Sequence, residues 1–321
     1  MSALQKKFPG VEVGGSSSMK SSNIGGQAVM EGVMMRNADK YAVAVRKTDG
    51  EIVVKTEEYK GIVQNKKIRS LPIIRGVFSF IDSMVLGMST LTYSASFFMD
   101  DEEEDKDEKK ESVMMGLTIA CSVVMAVAIF MILPYFLSQL FRKFTDSTTL
   151  ITLLEGAVRL VIFFGYILLI SRMKDIQRVF MYHGAEHKCI NCIEHGMELN
   201  VENVLKSSRL HKRCGTSFLF IVMIVSIIFF LFIRIESPIW RVVFRLLLIP
   251  VIAGVSFEFI RLAGKSENKL VILLSKPGMM LQKLTTREPD ASMAEVAIAS
   301  VEAVFDWRAY LKENFGWQEK V

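Results

Sequence analysis

All four histidines and three of the four cysteines of this chain fall between residues 183 and 214. The run reads His183-Gly184-Ala185-Glu186-His187-Lys188-Cys189, followed by Cys192, Glu194, His195, His211 and Cys214. His183 to His187 spells H-x-x-E-H. On a helix, residues four apart point about 40° apart, so both imidazoles can reach one ion. Glu186 then stands on the adjacent face, where a general base for water would be placed. Two coordination schemes compete. Cys189-x-x-Cys192 with His211-x-x-Cys214 has the spacing of a closed structural zinc site. Alternatively, His183 and His187, joined by a carboxylate (Glu258 or Glu194) or by His211, hold a catalytic divalent ion with an open position, and Glu186 handles the proton. The sulfur-rich set suits zinc, whereas a His and carboxylate set admits zinc, manganese or iron.

The elements that must position these residues are largely apolar. The chain is 51% hydrophobic, with a mean hydropathy of +0.33. Four stretches, near 113–137, 150–170, 215–233 and 240–262, are long enough to span a bilayer. Phe218–Ile233 runs without a charge, which fits poorly with a soluble core helix. The connection 138–149 carries only Arg142 and Lys143, and 234–241 only Arg234 and Arg241, whereas 171–214 carries eight basic residues. Basic residues collect on the cytoplasmic side. This places both termini and the His/Cys cluster in the cytoplasm of a multi-pass protein of the cell membrane. There thiols stay reduced, so the cysteines read as ligands or bystanders rather than disulfides. The net charge of +5 follows from this topology and implies no nucleic-acid partner. Residues 1–30 are Gly/Ser-rich without an apolar run, so no cleavable signal is expected.

In chain order, residues 1–23 have the composition of a disordered segment. Tyr41–Arg46 and Glu51–Lys55 flank Thr48-Asp49-Gly50 and predict a hairpin within a small cytoplasmic β-containing domain over 24–72. Residues 73–99 are apolar but broken by Arg75 and Asp82, and read as an amphipathic or re-entrant helix rather than a further span. An acidic linker covers 100–112, and the four-helix membrane domain 113–262. Within it, Glu155 and Arg159 lie four apart at membrane depth, either as functional groups or as an ion pair. One helix is expected to run out of the second span through Asp175–Glu194, ending at Gly196, with a second helix opened by Asn200. In the cytoplasmic helical tail 263–321, Ser292-x-x-Glu295 predicts a capping box for a helix over Met293–Phe305. The fold class is thus mainly α: a polytopic membrane protein with about four transmembrane helices, a small N-terminal β-hairpin-containing domain and an additional amphipathic or re-entrant helix.

The strings GGQAVMEGVMMR, LPIIRG, MYHGAEHKCI, HKRCGTSF, LQKLTTREPD and EVAIA resemble the YqhQ-like family of bacterial membrane proteins, from about Gly25 to Phe305. The resemblance implies a multi-spanning protein described as a metal-dependent enzyme of undetermined activity. Its His-Gly-Ala-Glu-His falls on His183–His187, its His-x-Arg-Cys-Gly-Thr-Ser-Phe on His211–Phe218, and its distal carboxylates on Glu194 and Glu258. The family pattern does not require Cys at 189 and 192. That favours the open site and leaves Cys214 as a ligand or a helix-packing residue. The five-residue H-x-x-E-H string is also similar to that of inverzincin metallopeptidases. The expected function is a metal-dependent hydrolase at the cytoplasmic membrane face, acting on a lipid-linked or membrane-protein substrate. Gln27, Glu31, Arg36 and Arg159 would orient a polar or anionic group of that substrate. Two rivals stand beside it: a non-catalytic membrane protein stapled by structural zinc, and a small transporter or channel subunit built on Glu155, Arg159 and Glu258. With four spans, the last would need a homo-oligomer.

Overall fold

The structure is a computed structural model that describes residues 19–98, 108–211, 213–233, 235, 237–265 and 268–318. The expected disordered segment lies outside the described residues up to 18, and the acidic linker up to 107.

The N-terminal region is larger than a hairpin. Strands β1 (Gly25–Val29), β2 (Gly32–Asn37), β3 (Lys40–Arg46) and β4 (Ile52–Glu58) form an antiparallel meander in the order β1-β2-β3-β4. The two central strands, β2 and β3, are buried on both faces, while β4 is largely exposed. Val33, Met35, Ala42 and Ala44 pack toward one helical layer, and Met34, Tyr41, Val43 and Val45 toward another.

A short helix α1 (Lys66–Ser70) leads into α2 (Ile74–Ala95). The first long apolar stretch is α3 (Glu108–Val127), which continues through a π-turn at Ala128–Ile132 into α4 (Leu133–Gln139). Pro134, which cannot donate to the helical ladder, sits just beyond that turn. Then come α5 (Thr148–Ile170), α6 (Lys174–Glu194), α7 (Val201–Lys206), α8 (Gly215–Phe232) and α9 (Pro238–Lys265). The chain closes with α10 (Lys269–Thr285), α11 (Ala291–Glu302) and α12 (Trp307–Phe315). The expected continuous helix out of the second span is broken at residues 171–173, so α6 is a separate element, free to turn its histidines toward α8. Its end at Gly196 (φ 76°) and the Asn200 cap of α7 are as expected. The cap of α11 is Asp290, which accepts from the Met293 N–H, so this helix starts two residues before the predicted one.

Five helical segments are long and apolar enough to cross a bilayer: Ile74–Phe98, Gly116–Lys143, Thr148–Ile170, Gly215–Phe232 and Ile239–Gly264. The last four match the four expected spans. The first, α2, differs from them in its contacts. Its first turn abuts α9, where a Cβ on Gly76 would lie 2.8 Å from the Gly254 carbonyl oxygen, and Arg75 pairs with Glu258. Phe80 stacks on Phe218 near the start of α8, with ring centroids 5.5 Å apart. At its other end Leu86 packs under the sheet, and the Ser94 hydroxyl accepts from the Met30 N–H. The sheet in turn packs on α6, which follows the end of α5. Helix α2 therefore joins α9, at Gly254 and Glu258, to the sheet.

The N-terminal sheet, α6 and the C-terminal α11 share one core, with Met35, Tyr182, Ile190, Ile193, Met293 and Trp307 all nearly inaccessible. The sheet and the C-terminal tail, expected as separate units, together clamp the histidine helix.

Candidate metal centre

Three features of the sequence converge here. Helix α6 presents His183, Glu186 and His187 on neighbouring faces. Cys214 caps α8, its sulfur accepting from the Thr216 N–H. The strand β1 closes over them through Gly25 and Gly26, which line the same cavity of about 100 Å³ as His183, Glu186, His187, His211, Arg213 and Cys214. A Cβ on Gly26 would meet the Glu186 Cγ at 2.8 Å, so the bare backbone is what lets the strand approach.

One ligand atom each from His183, His187 and Cys214 lie within 4.8 Å of one another. Cys214 Sγ is 3.3 Å from His183 Nε2. Glu186 Oε2 lies 3.9 Å from His183 Nε2 and 3.7 Å from His187 Nε2. Both rings are oriented from behind. His183 Nδ1 donates to the Thr285 carbonyl at 2.9 Å, and His187 Nδ1 to the Arg209 carbonyl at 2.6 Å. A carbonyl only accepts, so these bonds place a proton on each Nδ1 and turn both Nε2 atoms toward one sulfur. The second carbonyl is held in place by the motif itself. Lys188 donates to the Leu205 and Ser207 carbonyls and Asn191 to those of Ser208 and Leu210, fixing the loop that carries Arg209.

The electrostatics are those of an imidazolium–thiolate group, whose ring protons a bound metal ion would displace. Burial alone would push both imidazoles down and the Cys214 thiol up. The thiolate beside His183, and Glu186 with the thiolate beside His187, override this: His183 lies above its ordinary value, His187 is raised to about 9, and Cys214 is held well below the usual thiol range. The N-terminus of α8 adds its positive end to that stabilisation. The donor set fits zinc. With Zn–N of about 2.0 Å and Zn–S of about 2.3 Å, tetrahedral ligand atoms stand roughly 3.3–3.8 Å apart; Cys214 Sγ and His183 Nε2 are 3.3 Å apart, and the three ligand atoms lie within 4.8 Å of one another.

The other expected ligands are engaged elsewhere. Glu194, fully buried, accepts from the Ser22 N–H and hydroxyl at 2.7 and 2.8 Å, pairs with Arg213, and lies 3.2 Å from His211 Nε2. It docks residues 20–22 of the expected disordered segment onto the loop beneath the cavity. Cys189 and Cys192 lie in the shared apolar core, where burial pushes the Cys189 thiol well up and that of Cys192 to about 12. Cys192 Sγ contacts the Glu198 carbonyl at 3.3 Å. Among the described residues the grouped ligand atoms are those of His183, His187 and Cys214, so the closed Cys189/Cys192/His211/Cys214 set is not assembled. Glu258 is taken by Arg75, which neutralises it away from the cluster. Of the residues expected to orient a substrate, Gln27 packs against Gly87, Glu31 pairs with Arg178, and Arg36 donates to the Ala38 carbonyl. Glu155 and Arg159 form a buried ion pair within the helix bundle.

Two predictions arise directly. A Cβ on Gly184 would fall within the radius of the Arg287 carbonyl oxygen, on the segment whose Thr285 orients His183. Gly184→Ala is expected to cost about 2 kcal/mol or more, since backbone cannot yield as a side chain does, and to loosen metal binding; thermal melts and metal analysis read both. The second concerns Glu194. Burial raises its pKa, but His211, Arg213 and the Ser22 N–H pull it down to about 2. The folded value lies below an unfolded value of about 4.3, so the ionised carboxylate stabilises the fold above that pH. The contribution fades as pH falls through this window toward the folded value of about 2. Wild type should lose melting temperature steeply there, and Glu194→Gln, starting lower, should show a flatter profile. Parallel profiles would refute the assignment.

A family model described as a protein of unknown function (DUF1385) matches residues 71–307, which include the whole cluster. The chain belongs to this family. It is similar to the uncharacterized protein YqhQ of Bacillus subtilis (strain 168), with 37% identity over 301 residues, covering 90% of this chain and 94% of that protein. The likeness read from the sequence strings is thereby confirmed. No solved structure matches. The DUF1385 match spans α2 to α11, so it takes in both backbone carbonyls that orient the histidines, Arg209 and Thr285. These two residues, with Ser22, are the parts of the site that sequence reasoning missed. A carbonyl carries no residue-type signature, and only the unusual string Leu281–Asp290 hinted that the segment mattered.

Proposed function

We propose that this protein is a zinc-dependent hydrolase of the cytoplasmic membrane face, with His183, His187 and Cys214 as ligands and Glu186 as general base. The observation that carries this reading is the convergence of two Nε2 atoms and the Cys214 sulfur, each ring fixed through Nδ1, beside one carboxylate in a small cavity. When bound, the ion would supply Lewis-acid polarisation of a carbonyl or phosphoryl oxygen. Glu186, 95% buried, accepts the proton of a water entering the cavity and returns it to the leaving group. Gly25, which has nothing within 4 Å of where a Cβ would stand, leaves room for a substrate edge beside β1. A membrane setting is supported by the bare apolar surface of α3, where Met114, Leu117, Val124 and Met125 are each more than half exposed. The basic flanks place the cluster at the cytoplasmic edge of that bundle, so a lipid-linked or membrane-protein substrate is the one within reach. The packing of α2 against the sheet, together with Arg75 and Asp82, supports its lying at the interface rather than crossing.

The test is a screen of fluorogenic ester, amide and phosphodiester lipids with protein purified without chelators. Hydrolysis should require the metal and fall by about 10²–10⁴ in Glu186→Gln with the metal retained. Full turnover by that variant would sink the proposal. A second reading follows from the 3.3 Å Cys214–His183 contact, which also suits a cysteine nucleophile with its base. Chelation separates the two: it abolishes the zinc enzyme and leaves a thiol enzyme active and open to iodoacetamide.

A further inference from the structure

Helix α10 presents three surfaces. One, in the turns after Pro277, is set into the bundle: Leu281 is buried among Phe163, Ile167 and Met223, and a Cβ on Gly278 would touch the Ser217 side chain at 3.1 Å. A second, mostly in the turns before Pro277, holds Leu270, Leu273, Leu274 and Met280, each 50–63% exposed. A third, beside the apolar surface and turned away from the bundle, is a stripe of Lys269, Lys276 and Lys283, all exposed and, among the described residues, none in an ion pair. Lysines bordering an apolar face on a helix at the end of a membrane bundle have the pattern of an element lying in the headgroup layer. Their stems cover hydrocarbon while the ammonium groups meet phosphate.

The last turn of this helix is also part of the metal centre. Thr285 orients His183 through its carbonyl. Gln282, fully buried, accepts from the His211 N–H at 2.9 Å and donates to the His211 carbonyl at 2.7 Å and to Ser217 at 2.8 Å. A change in how α10 seats therefore moves a ligand imidazole and the loop that ends in Cys214.

We propose that α10 binds the anionic phospholipid surface of the cytoplasmic leaflet and transmits that binding to the centre, so that zinc affinity depends on lipid charge. The inference rests on the membrane reading above, and its lipid part does not depend on the metal. The experiment uses the full chain in nanodiscs of phosphatidylcholine alone or with phosphatidylglycerol. A spin label at Leu273→Cys, in a Cys121→Ser background that removes the exposed native cysteine, should be shielded from an aqueous relaxant and accessible to oxygen. Zinc competition with a fluorescent chelator should show binding at least fivefold tighter with phosphatidylglycerol. The difference should vanish in the Lys269→Gln, Lys276→Gln, Lys283→Gln variant and should not appear with inorganic phosphate. An aqueous label at position 273 overturns the placement of α10. Equal zinc affinity in both lipids, or a lipid effect that survives the lysine replacements, overturns the coupling. Were zinc not to bind at all, the enzyme proposal would fall and the coupling with it, while the label would still decide where α10 lies.

Discussion

Protein purified without chelators is expected to carry about one zinc per chain, and Cys214→Ser to lower its affinity by about 10²-fold, or roughly 2.7 kcal/mol. The size of the effect follows from what the thiol does. Its thiolate is the one anionic ligand among the three grouped atoms, and the two imidazoles already hold it deprotonated. A serine hydroxyl in the same place stays neutral and binds zinc weakly. His183→Ala should match it, because the ring removed is anchored to Thr285 and faces the sulfur directly. The informative controls are Cys189→Ser and Cys192→Ser. Both thiols sit in the apolar core, so a hydroxyl there costs about 1–3 kcal/mol of burial, yet zinc stoichiometry by elemental mass spectrometry should be unchanged. His211→Ala should also keep the metal while weakening the Glu194 dock. Loss of zinc in the Cys189 and Cys192 variants, with retention in His183→Ala, would restore the closed structural site and remove the basis for catalysis.

The contrast between these cysteines shows what the sequence could and could not disclose. The spacing Cys189-x-x-Cys192 satisfies a zinc motif, but on α6 both side chains turn toward the sheet and α11, away from Cys214. Helical periodicity placed His183, Glu186 and His187 together because their partners are one turn apart. It could not choose among Glu194, His211, Cys214 and Glu258, since that depends on contacts across long stretches of chain: Arg75 neutralises Glu258 from 183 residues away, and Ser22 reaches Glu194 across 172. The four apolar spans were legible because bilayer length is a property of one contiguous run. The meander was half legible. Gly25–Val29 and Gly32–Asn37 are rich in Gly and Met, weak strand formers, and are strands only because Gly26 pairs with Met35 and Met34 with Val43 beneath two helical layers. Helix α2 shows the same limit from the other side. Arg75 and Asp82 argued against a span, yet its length and apolar content meet the requirement for one, and its packing on the sheet depends on residues far away in sequence.

Glu155→Leu is expected to be the most damaging single change outside the cluster. Glu155 is buried between two guanidinium groups, accepting from Arg159 Nη2 at 2.9 Å and from Arg245 at 2.5 and 2.9 Å. Arg159 also donates to Ser226, and both arginines lie over the Phe230 ring, at 5.0 and 4.6 Å. The triad ties α5, α8 and α9 together at one level of the bundle. Two cations share one carboxylate, with the ring face spreading the excess charge. Removing the carboxylate strands both cations, at a cost of about 3–5 kcal/mol, and the melting temperature in detergent should fall accordingly. The desolvation of all three groups already opposes their attraction, so exchanging the whole set for apolar residues should restore stability. Glu155→Leu, Arg159→Met, Arg245→Met is therefore expected to melt near wild type and to keep its zinc, as a structural staple requires. A triple variant that folds and binds zinc but loses ion flux in reconstituted vesicles would instead return these residues to the transporter reading, because a staple can be replaced by packing whereas a charge relay cannot.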